Sequence, residues 1–311
     1  MTYDFSVGIV NWNTAELVCS AIQSIYDLAG SYQIQVLVAD NNSSDDSVHQ
    51  IRTRFPQVHL EANQENIGFA RAHNQLWQHS KAPIHILLNS DVRLLNGQFE
   101  SVNHCFQVHP EVGIYGPQML DGEGVVQISC RRFPSLWRQF CMASGVAKIL
   151  AKNTHFNGTV MGDFDHRTSR PVDQVIGSFF AVRQSVWQSI GFLDELFFMY
   201  YEEVDYCLRA RKAGFLTYFD ANQSVIHYGG ASSKQVKVAT MRRTVRSMRT
   251  FFRKHSGPLT WWILLFCLSL ETVTRTVYAL SHKGQTAATL RACCLAWLDF
   301  VCFRPSNQRI T

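Results

Sequence analysis

Residues 84–91 read Ile84-His85-Ile86-Leu87-Leu88-Asn89-Ser90-Asp91, a short apolar run that ends abruptly in three polar residues. An earlier run, Val7–Val10, ends at Asn11 in the same way. Another, Ile34–Ala39, ends at Asp40. Short apolar runs bounded by polar residues indicate buried strands. These three runs therefore predict three core strands that each end in a polar side chain.

The segments between these runs have the spacing of helices. In Thr14–Leu28 the apolar residues recur at steps of three and four, which indicates a helix with one buried face. A second helix, which Ser44 could cap, and a third over about Gly68–His79 are also predicted, with a strand at Val58–Leu60 between them. Strands and helices in alternation favour right-handed crossovers and a mostly parallel sheet. The predicted fold class is therefore α/β.

In open α/β sheets, ligands bind outside the carboxyl ends of the strands. Asn11, Asp40 and Asp91 follow such ends, so we expect a site at that edge. A carboxylate at Asp40 could accept a hydrogen bond from a nucleobase, and one at Asp91 could hold Mg²⁺ or Mn²⁺ against a diphosphate. Taken singly, each carboxylate is equally explained as a turn residue.

Three carboxylates, Glu202, Glu203 and Asp205, begin another predicted helix. Acidic residues in a first turn complement the helix dipole, and Asp205 can pair with Arg209 one turn later. The preceding Leu196–Tyr201 is entirely apolar or aromatic, and such surroundings can raise the pKa of a carboxyl group to suit a general base. Both a structural and a catalytic role stay open at this point.

The rest of the body is less regular. Residues 95–171 contain turn signals but no clear periodicity. The helix that begins near Glu202 is predicted to end at Gly214, and strands are predicted near Leu216–Phe219 and Val225–His227. An isolated histidine such as His227 is more often structural than a ligand.

Composition excludes disorder, since 46% of the 311 residues are hydrophobic and 17% are charged. The net charge of +5 hides a division within the chain. Residues 234–311 hold 13 basic and 2 acidic side chains, a net charge of +11, whereas the preceding residues carry −6. This asymmetry predicts a polyanionic partner for the C-terminal region.

The C-terminal region combines a basic helix with an apolar segment. Apolar residues recur at steps of three and four over Val238–Phe252, with arginines on the other faces, and Leu259–Leu270 is nearly all apolar. Twelve residues are too few to span a bilayer, which needs about twenty. The pattern favours helices that lie in an anionic membrane interface. The alternative is that both helices pack on the body; nucleic-acid binding is disfavoured because it gives the apolar run no role.

Several function classes lack their signatures. The phosphate-binding loop of nucleotidases, the Gly-x-Gly-x-x-Gly dinucleotide motif, the Gly-x-Ser-x-Gly elbow and paired-cysteine zinc spacings are all missing. The nine cysteines are odd in number and include the adjacent pair Cys293-Cys294, which favours reduced thiols in a reducing compartment. The first residues lack the features of a signal peptide, so we expect a cytoplasmic location.

Several blocks, in this order along the chain, carry a resemblance to a known family. They are Val7–Asn13, Asp40–Asp45, Asn66–Asn74, Leu87–Asp91, Gly177–Arg183, Phe197–Asp205, and His227 with Gly229–Ser232. In this arrangement the chain resembles the family 2 glycosyltransferases, inverting sugar-nucleotide enzymes of the GT-A fold. Within that family it looks most like the bacterial rhamnosyltransferases of O-antigen and related polysaccharide assembly.

The resemblance implies roles for individual residues. Asp40 matches the aspartate that recognises the base, and Asn89-Ser90-Asp91 stands where the family has Asp-x-Asp, so only Asp91 offers a carboxylate there. The metal, Mg²⁺ or Mn²⁺, would be held by Asp91 and His227. Glu203 matches the catalytic base, with Glu202 or Asp205 as alternatives. The implied nucleotide-sugar site comprises Asn11, Asp40, Asn66, Arg71 and Asn89, with Arg71 placed to approach the diphosphate.

The resemblance also implies a function and an organisation. Residues 1–235 would form the GT-A domain, and residues 236–311 a basic and apolar helical region. The enzyme would move L-rhamnose from dTDP-β-L-rhamnose to a polyprenyl-linked glycan, bound peripherally at the inner face of the plasma membrane. Two alternatives are another donor, such as UDP-galactofuranose or a different UDP-sugar, and a non-catalytic sugar-nucleotide-binding scaffold. A nucleotidyltransferase is disfavoured because Asn11–Thr14 is not a glycine-rich loop.

Overall fold

The computed structural model of the protein describes residues 3–229, 237–257, 260–281, 295, 297–298 and 300–301. Gly230–Ser232 and Cys293-Cys294, which entered the sequence argument, lie outside the described residues.

Eleven strands are found in the described part of the chain. They are β1 (Phe5–Asn11), β2 (Ile34–Asp40), β3 (His59–Ala62), β4 (Ile84–Asn89), β5 (Val92–Arg93), β6 (Val112–Leu120), β7 (Cys130–Arg131), β8 (Arg170–Val172), β9 (Gln174–Val175), β10 (Phe179–Arg183) and β11 (Leu216–His227). Ten helices accompany them there. They are α1 (Ala15–Asp27), α2 (Ser47–Arg54), α3 (Phe69–Gln78), α4 (Gln98–Val108), α5 (Leu136–Ala143), α6 (Val146–Ile149), α7 (Gln184–Ile190), α8 (Glu202–Lys212), α9 (Lys237–Ser256) and α10 (Thr260–Ser281).

Nine strands form one mixed sheet in the order β3-β2-β1-β4-β10-β6-β11-β5, with β8 paired to β11, while β7 and β9 form a separate pair. The strands β3, β2, β1 and β4 are mutually parallel, and β6 is parallel to β11. The strand β10 is antiparallel to both β4 and β6 and lies between them. The predicted α/β class with a mainly parallel sheet is confirmed, and the antiparallel β10 makes the sheet mixed.

Burial explains why these segments form these elements. The apolar side chains of β1 and β4 are almost completely buried, as expected for strands covered on both faces. The apolar face of α1 buries Val18, Ile22 and Ile25. These residues belong to a hydrophobic cluster that also contains Phe5 and Phe99. The helical spacing in the sequence therefore describes the face that packs into this cluster.

Two local predictions were wrong. The N-cap of α2 is Asp46 rather than Ser44, whose backbone and side chain instead donate hydrogen bonds to Asn13 Oδ1 at 2.7 and 3.3 Å. The two strands predicted near residues 216–219 and 225–227 are one strand, β11. Its register against β6 shifts between Asp220 and Ser224, and such an irregularity lets a strand continue past a run of polar residues.

The chain divides into two compact units. Unit 1 comprises Met1–Arg131, His166–Glu195 and Glu203–Gln235, and it contains all the strands. Unit 2 comprises Arg132–Asp165, Leu196–Glu202 and Val236–Thr311. The last change from unit 1 to unit 2 along the chain falls between Gln235 and Val236.

Within unit 2, much of the apolar stripe of α9 is covered. Val245 and Phe252 are buried, and Ser247 Oγ donates a hydrogen bond to the carbonyl of Met199 at 2.8 Å. The guanidinium of Arg243 lies 4.9 Å from the centroid of the Phe198 ring, and burial lowers its pKa. Ser247 and Arg243 therefore tie α9 to the Leu196–Glu202 segment of the same unit.

Exposed apolar side chains in unit 2 lie mainly elsewhere. On α10 they are Trp262, Ile263, Phe266 and Val273. On the segment around α5 and α6 they are Trp137, Met142, Ile149 and Leu150. None of the helices in the described ranges is both long and apolar enough to cross a membrane.

The cysteines within the described ranges are free thiols. They are Cys19, Cys105, Cys130, Cys141, Cys207 and Cys267, and all six are buried.

Candidate active site

The carboxyl ends of the parallel strands bring the predicted polar residues together within unit 1. Asn11 and Asp40 are register partners at the ends of β1 and β2, and Asn89 ends the neighbouring β4 opposite Val10. Parallel strands end at the same edge of a sheet, so these side chains lie at a common edge, as the sequence predicts.

Asp40 organises the loop that follows β2. Its carboxylate is buried and accepts hydrogen bonds from Asn11 Nδ2 at 2.8 Å, Ser43 N at 2.9 Å and Ser43 Oγ at 2.6 Å. Asn13 and Asn42 have positive φ angles of 53° and 62°, a conformation that asparagine tolerates better than most residues. The loop is therefore held in one shape around Asp40.

A second turn at the same edge leads into α3. Asn66 Oδ1 accepts a hydrogen bond from Gly68 N at 3.0 Å, and Asn41 Nδ2 donates to Gly68 O at 3.1 Å. Gly68 has a φ of 88°, which a side chain would disfavour. Asn66 thus sets the entry into α3 and ties it to the loop after β2.

Arg71 lies in the first turn of α3 and is mostly exposed. Its Nε atom is 4.0 Å from Glu195 Oε2, and the two side chains are 61% and 52% exposed. An exposed pair at this distance contributes little to stability. The approach of Arg71 to a diphosphate stays a prediction.

Asp91 and His227 come together at this end of the sheet. His227 is the last residue of β11 and pairs with Val92 of β5, which brings its Nε2 within 3.5 Å of Asp91 Oδ1. Both side chains are largely buried, with 9% of Asp91 and 12% of His227 exposed. The backbone is fixed as well, because Tyr228 N donates to Asp91 O at 3.0 Å.

Gln127 holds the imidazole of His227 so that Nδ1 faces Gln127 and Nε2 faces Asp91. Its Nε2 donates to the carbonyl of His227 at 2.8 Å, so its Oε1 is the atom that meets His227 Nδ1 at 3.0 Å. A carbonyl oxygen can only accept, so Nδ1 carries a proton, and in the neutral imidazole Nε2 is then the nitrogen with the lone pair. Metal-binding histidines in proteins have this outer hydrogen bond.

This donor set fits a divalent cation. One carboxylate oxygen and one imidazole nitrogen converge, and a hydroxyl lies beside them, because Ser178 Oγ is 3.2 Å from His227 Nε2. Asn89 Nδ2 donates to the same hydroxyl at 3.3 Å. Where the family has a carboxylate, this chain therefore has an amide that orients Ser178.

Glu203 of unit 1 lies beside Gly177, the residue that precedes Ser178. It is the second residue of α8 and half-buried. A β-carbon built on Gly177, the neighbour of Ser178, would be 3.7 Å from Glu203 Cβ. Because Gly177 has no side chain, Glu203 can lie close to the backbone of residue 177, directly before Ser178.

The other two carboxylates of α8 are more deeply buried. Asp205 is completely buried, and Arg209 Nε donates to its Oδ2 at 2.7 Å, so the predicted ion pair is confirmed. Arg209 also donates to the carbonyls of Ile190 and Phe192, both at 2.7 Å. Asp205 thereby anchors α8. Glu202 is also buried, with 5% of its surface exposed. Glu203 is the most accessible of the three.

Gln127 and Ser178 are site residues that the sequence reasoning missed. Ser178 lies in a block that carried the family resemblance, but its chemistry gave no signal. Gln127 lies in an aperiodic stretch, 100 residues from its partner His227. No local pattern could have indicated that pairing.

Comparison with curated proteins finds glycosyltransferases. The chain is 28% identical over 253 residues to the N-acetylglucosaminyl-diphospho-decaprenol L-rhamnosyltransferase of Mycobacterium tuberculosis, covering 76% of this chain and 79% of that protein. It is 27% identical over 295 residues to the low-salt glycan biosynthesis hexosyltransferase Agl10 of Haloferax volcanii, covering 89% and 86% of the two chains.

Solved structures agree on the fold. A mannosyltransferase from Pyrobaculum calidifontis, solved with GDP-mannose and Mn²⁺, superposes with a TM-score of 0.54 at 13% identity, covering 97% of this chain and 88% of that one. The S. aureus protein TarS gives a TM-score of 0.53 at 12% identity, covering 96% and 48%. The family model for glycosyl transferase family 2 matches residues 6–205. With this match, the GT-A fold and a polar site at the carboxyl edge of the sheet, the chain belongs to glycosyl transferase family 2.

Proposed function

We propose that this glycosyltransferase moves L-rhamnose from dTDP-β-L-rhamnose to a polyprenyl-linked glycan acceptor, with inversion at the anomeric carbon. The observation that carries the proposal is the buried Asp91–His227 pair with its Gln127 support, beside Glu203. The choice of donor and acceptor is supported by the mycobacterial relative, which is named a decaprenyl-linked rhamnosyltransferase and is 28% identical.

In this proposal Glu203 is the general base. Its carboxylate accepts the proton of an acceptor hydroxyl while that oxygen attacks the anomeric carbon. The new glycosidic bond forms as the bond to the nucleoside diphosphate breaks, and the diphosphate leaves with the electron pair. A single displacement inverts configuration, so a β-linked donor gives an α-rhamnoside.

Asp91 and His227 would hold a divalent ion, Mg²⁺ or Mn²⁺. When bound, such an ion neutralises negative charge on a departing diphosphate. The chain's own contribution is to hold His227 Nε2 beside the Asp91 carboxylate, with Gln127 bound to the other ring nitrogen. Mn²⁺ is the first ion to test, because the mannosyltransferase of the same fold was solved with it.

The donor nucleotide would bind at the edge formed by the loop after β2 and the turn before α3. We assign base recognition to Asp40, and the rest of the nucleotide-sugar site to Asn11, Asn66, Arg71 and Asn89. The hydrogen bonds of Asn11, Asp40 and Asn66 hold both turns in one conformation, and a preformed site binds with less loss of conformational entropy.

The donor is tested by measuring turnover and thermal stabilisation with a panel of sugar nucleotides in the presence of Mn²⁺. Under the proposal, dTDP-rhamnose stabilises the protein more than UDP-sugars, UDP-galactofuranose included, and it alone supports transfer. Preference for a UDP-sugar would replace the donor assignment. Binding of a donor without turnover on any lipid-linked acceptor would favour a scaffold.

We further propose that residues 1–235 form the transferase domain and residues 236–311 attach it to the anionic inner face of the plasma membrane. In unit 2, Trp262, Ile263 and Phe266 on α10 are 66%, 44% and 59% exposed. Tryptophan and basic residues are favoured in the membrane interface. Each basic residue near anionic lipid adds about 1 kcal/mol to binding, and residues 234–311 carry a net charge of +11.

Vesicle flotation with the full-length protein tests this attachment. The double variant Trp262→Glu/Phe266→Glu should lose most binding to phosphatidylserine-containing vesicles, since it places two charges on the exposed face. Val108→Glu is the matched control, because Val108 is 54% exposed on α4 in unit 1. Equal flotation of all three proteins, or retardation of nucleic acid by the wild type, would contradict the assignment.

A further inference from the structure

A second histidine–carboxylate cluster lies away from the residues assigned to transfer. Among the residues that the structure describes, His59, Glu61 and His79 form the one group of three potential metal ligands whose ligand atoms lie within 4.8 Å of one another. His59 Nε2 is 2.8 Å and His79 Nε2 is 3.5 Å from the same atom, Glu61 Oε1. The two imidazole rings have centroids 4.5 Å apart.

The backbone holds all three positions. His59 and Glu61 are two residues apart on β3, so they project from the same face of the strand. β3 is the edge strand of the sheet and pairs with β2, placing His59 opposite Leu37 and Glu61 opposite Ala39. His79 follows α3, where its N–H donates to Leu76 O at 3.0 Å and its carbonyl accepts from Gln35 Nε2 at 3.0 Å.

We propose that His59, Glu61 and His79 form a zinc-binding site. Two imidazole nitrogens and one carboxylate oxygen are a ligand set that Zn²⁺ uses in proteins, with water in the fourth position. Imidazole favours Zn²⁺ and its neighbours over Mg²⁺. The ligand atoms of a tetrahedral zinc ion lie about 3.4 Å apart, given bonds of about 2.0–2.1 Å, so small rotations of exposed side chains are enough to close the site.

The site would join β3 to α3 at one end. One turn back along α3, Gln75 already exchanges a pair of amide hydrogen bonds, at 3.1 and 3.2 Å, with Asn63, the residue that follows β3. Asn63 N also donates to Asp40 O at 2.9 Å. A bound ion would therefore restrain β3 and α3, whose connecting segment is hydrogen-bonded to Asp40 and Asn41. It would also stabilise the folded state over the unfolded chain.

Isothermal titration of full-length Asp91→Asn with Zn²⁺ tests the site, since that background removes the carboxylate of the buried Asp91–His227 pair. We expect one equivalent to bind, and we expect His59→Ala and His79→Ala each to raise the Kd at least tenfold. His104→Ala is the matched control, because His104 is an exposed histidine on α4 in the same unit. Its Kd should stay within twofold of the parent.

A second measurement does not depend on alanine variants. A hundredfold excess of Zn²⁺ over Kd should raise the Tm of Asp91→Asn by about 5 °C, and the His79→Gln variant should lose this shift while keeping the Tm of the metal-free protein. Absence of one-equivalent binding would overturn the proposal. So would undiminished zinc affinity in both His59→Ala and His79→Ala.

Discussion

Two of the histidine–carboxylate clusters in unit 1 have opposite surroundings. The Asp91–His227 pair is about nine-tenths buried, and Gln127 and Ser178 contact its imidazole. In the His59–Glu61–His79 cluster the side chains are 42%, 34% and 48% exposed, and what fixes them is the backbone of β3 and of the end of α3. Similar ligand types therefore occur in one buried and one exposed setting of the same unit.

The difference shows what burial and outer hydrogen bonds contribute. In a buried site, the electrostatic interactions of an imidazole and a nearby carboxylate are only weakly screened by water. At the surface, solvent and salt screen the interactions between groups of the same type, and the side chains have more room to rotate. The buried cluster is suited to hold charge during transfer, whereas the exposed one is suited to accept an ion from solution.

The largest effect is expected at the residue beside the buried cluster. Glu203→Gln removes the proposed proton acceptor while keeping the shape of the side chain, so turnover should fall at least about a hundredfold with donor affinity retained. Steady-state transfer assays and donor titration measure both. Asp205→Asn should instead lower stability, because Arg209 loses its charged partner. Near-normal turnover in Glu203→Gln would move the role of base to another carboxylate of α8.

The support of the buried cluster is tested by Gln127→Ala. Loss of the outer hydrogen bond releases the tautomer and orientation of His227, so the apparent affinity for Mn²⁺ or the turnover should fall about 10- to 100-fold. Gln107→Ala is the control, since Gln107 is exposed on α4. Equal Mn²⁺ dependence of the two variants would show that Gln127 does not position His227.

Another histidine extends the comparison to complete burial. His85 is fully buried and stacks on Trp77, with ring centroids 4.8 Å apart. Burial lowers its pKa from 6.5 to about 3, and the pKa of His73 is lowered well below its usual value for the same reason. The unfolded chain therefore binds protons that the folded state excludes.

The sign of the pH dependence follows. The stability that neutral His85 contributes is complete above pH 6.5 and is lost as the pH falls from 6.5 toward 3, at about 1.4 kcal/mol per pH unit. Urea unfolding at pH 7, 6 and 5 should show a shallower loss in His85→Phe than in the wild type. His104→Phe is the control and should keep the wild-type slope. If the free energy of unfolding depended on pH equally in the wild type, His85→Phe and His104→Phe, burial of neutral His85 would not be the cause of the pH dependence.

The smallest effect is expected at the exposed pair of Arg71 and Glu195. Glu195→Ala should change the free energy of unfolding by about 1 kcal/mol, because its pair with Arg71 is largely exposed and its other contact is a hydrogen bond from Asn74 Nδ2 at 3.1 Å. If Arg71 reaches the donor diphosphate, Arg71→Ala weakens donor binding and Glu195→Ala does not. Equal donor affinity in the two variants would remove Arg71 from the donor site.

The sequence predicted most of the first half of the fold. Periodicity and polar residues at strand ends locate β1, β2, β4, α1 and α3 to within about two residues. These signals are local, since they depend on which face of a segment is buried. The antiparallel β10 and the continuous β11 were not predicted, because strand direction and register depend on partners distant in the chain.

The residues of the candidate site also fall into those that local sequence could predict and those that depend on packing. Asn11, Asp40 and Asp91 could be selected because each follows an apolar run that predicts a strand. Whether Glu202, Glu203 or Asp205 is accessible was undecided in the sequence, and packing separates them by burying Asp205 against Arg209. Gln127 was missed because nothing near it in the chain indicates its partner.

By itself, the sequence determined that polar side chains end three parallel strands, because alternation of apolar runs and helical spacing is fixed by the order of residues. It also determined the family, through motifs that recur in order. Only the tertiary structure decided which side chains meet. The tautomer of His227 depends on Gln127, and the ligands at His59, Glu61 and His79 come together only when β3 and α3 pack. Such contacts join residues far apart in the chain, and the folded backbone alone brings them within bonding distance.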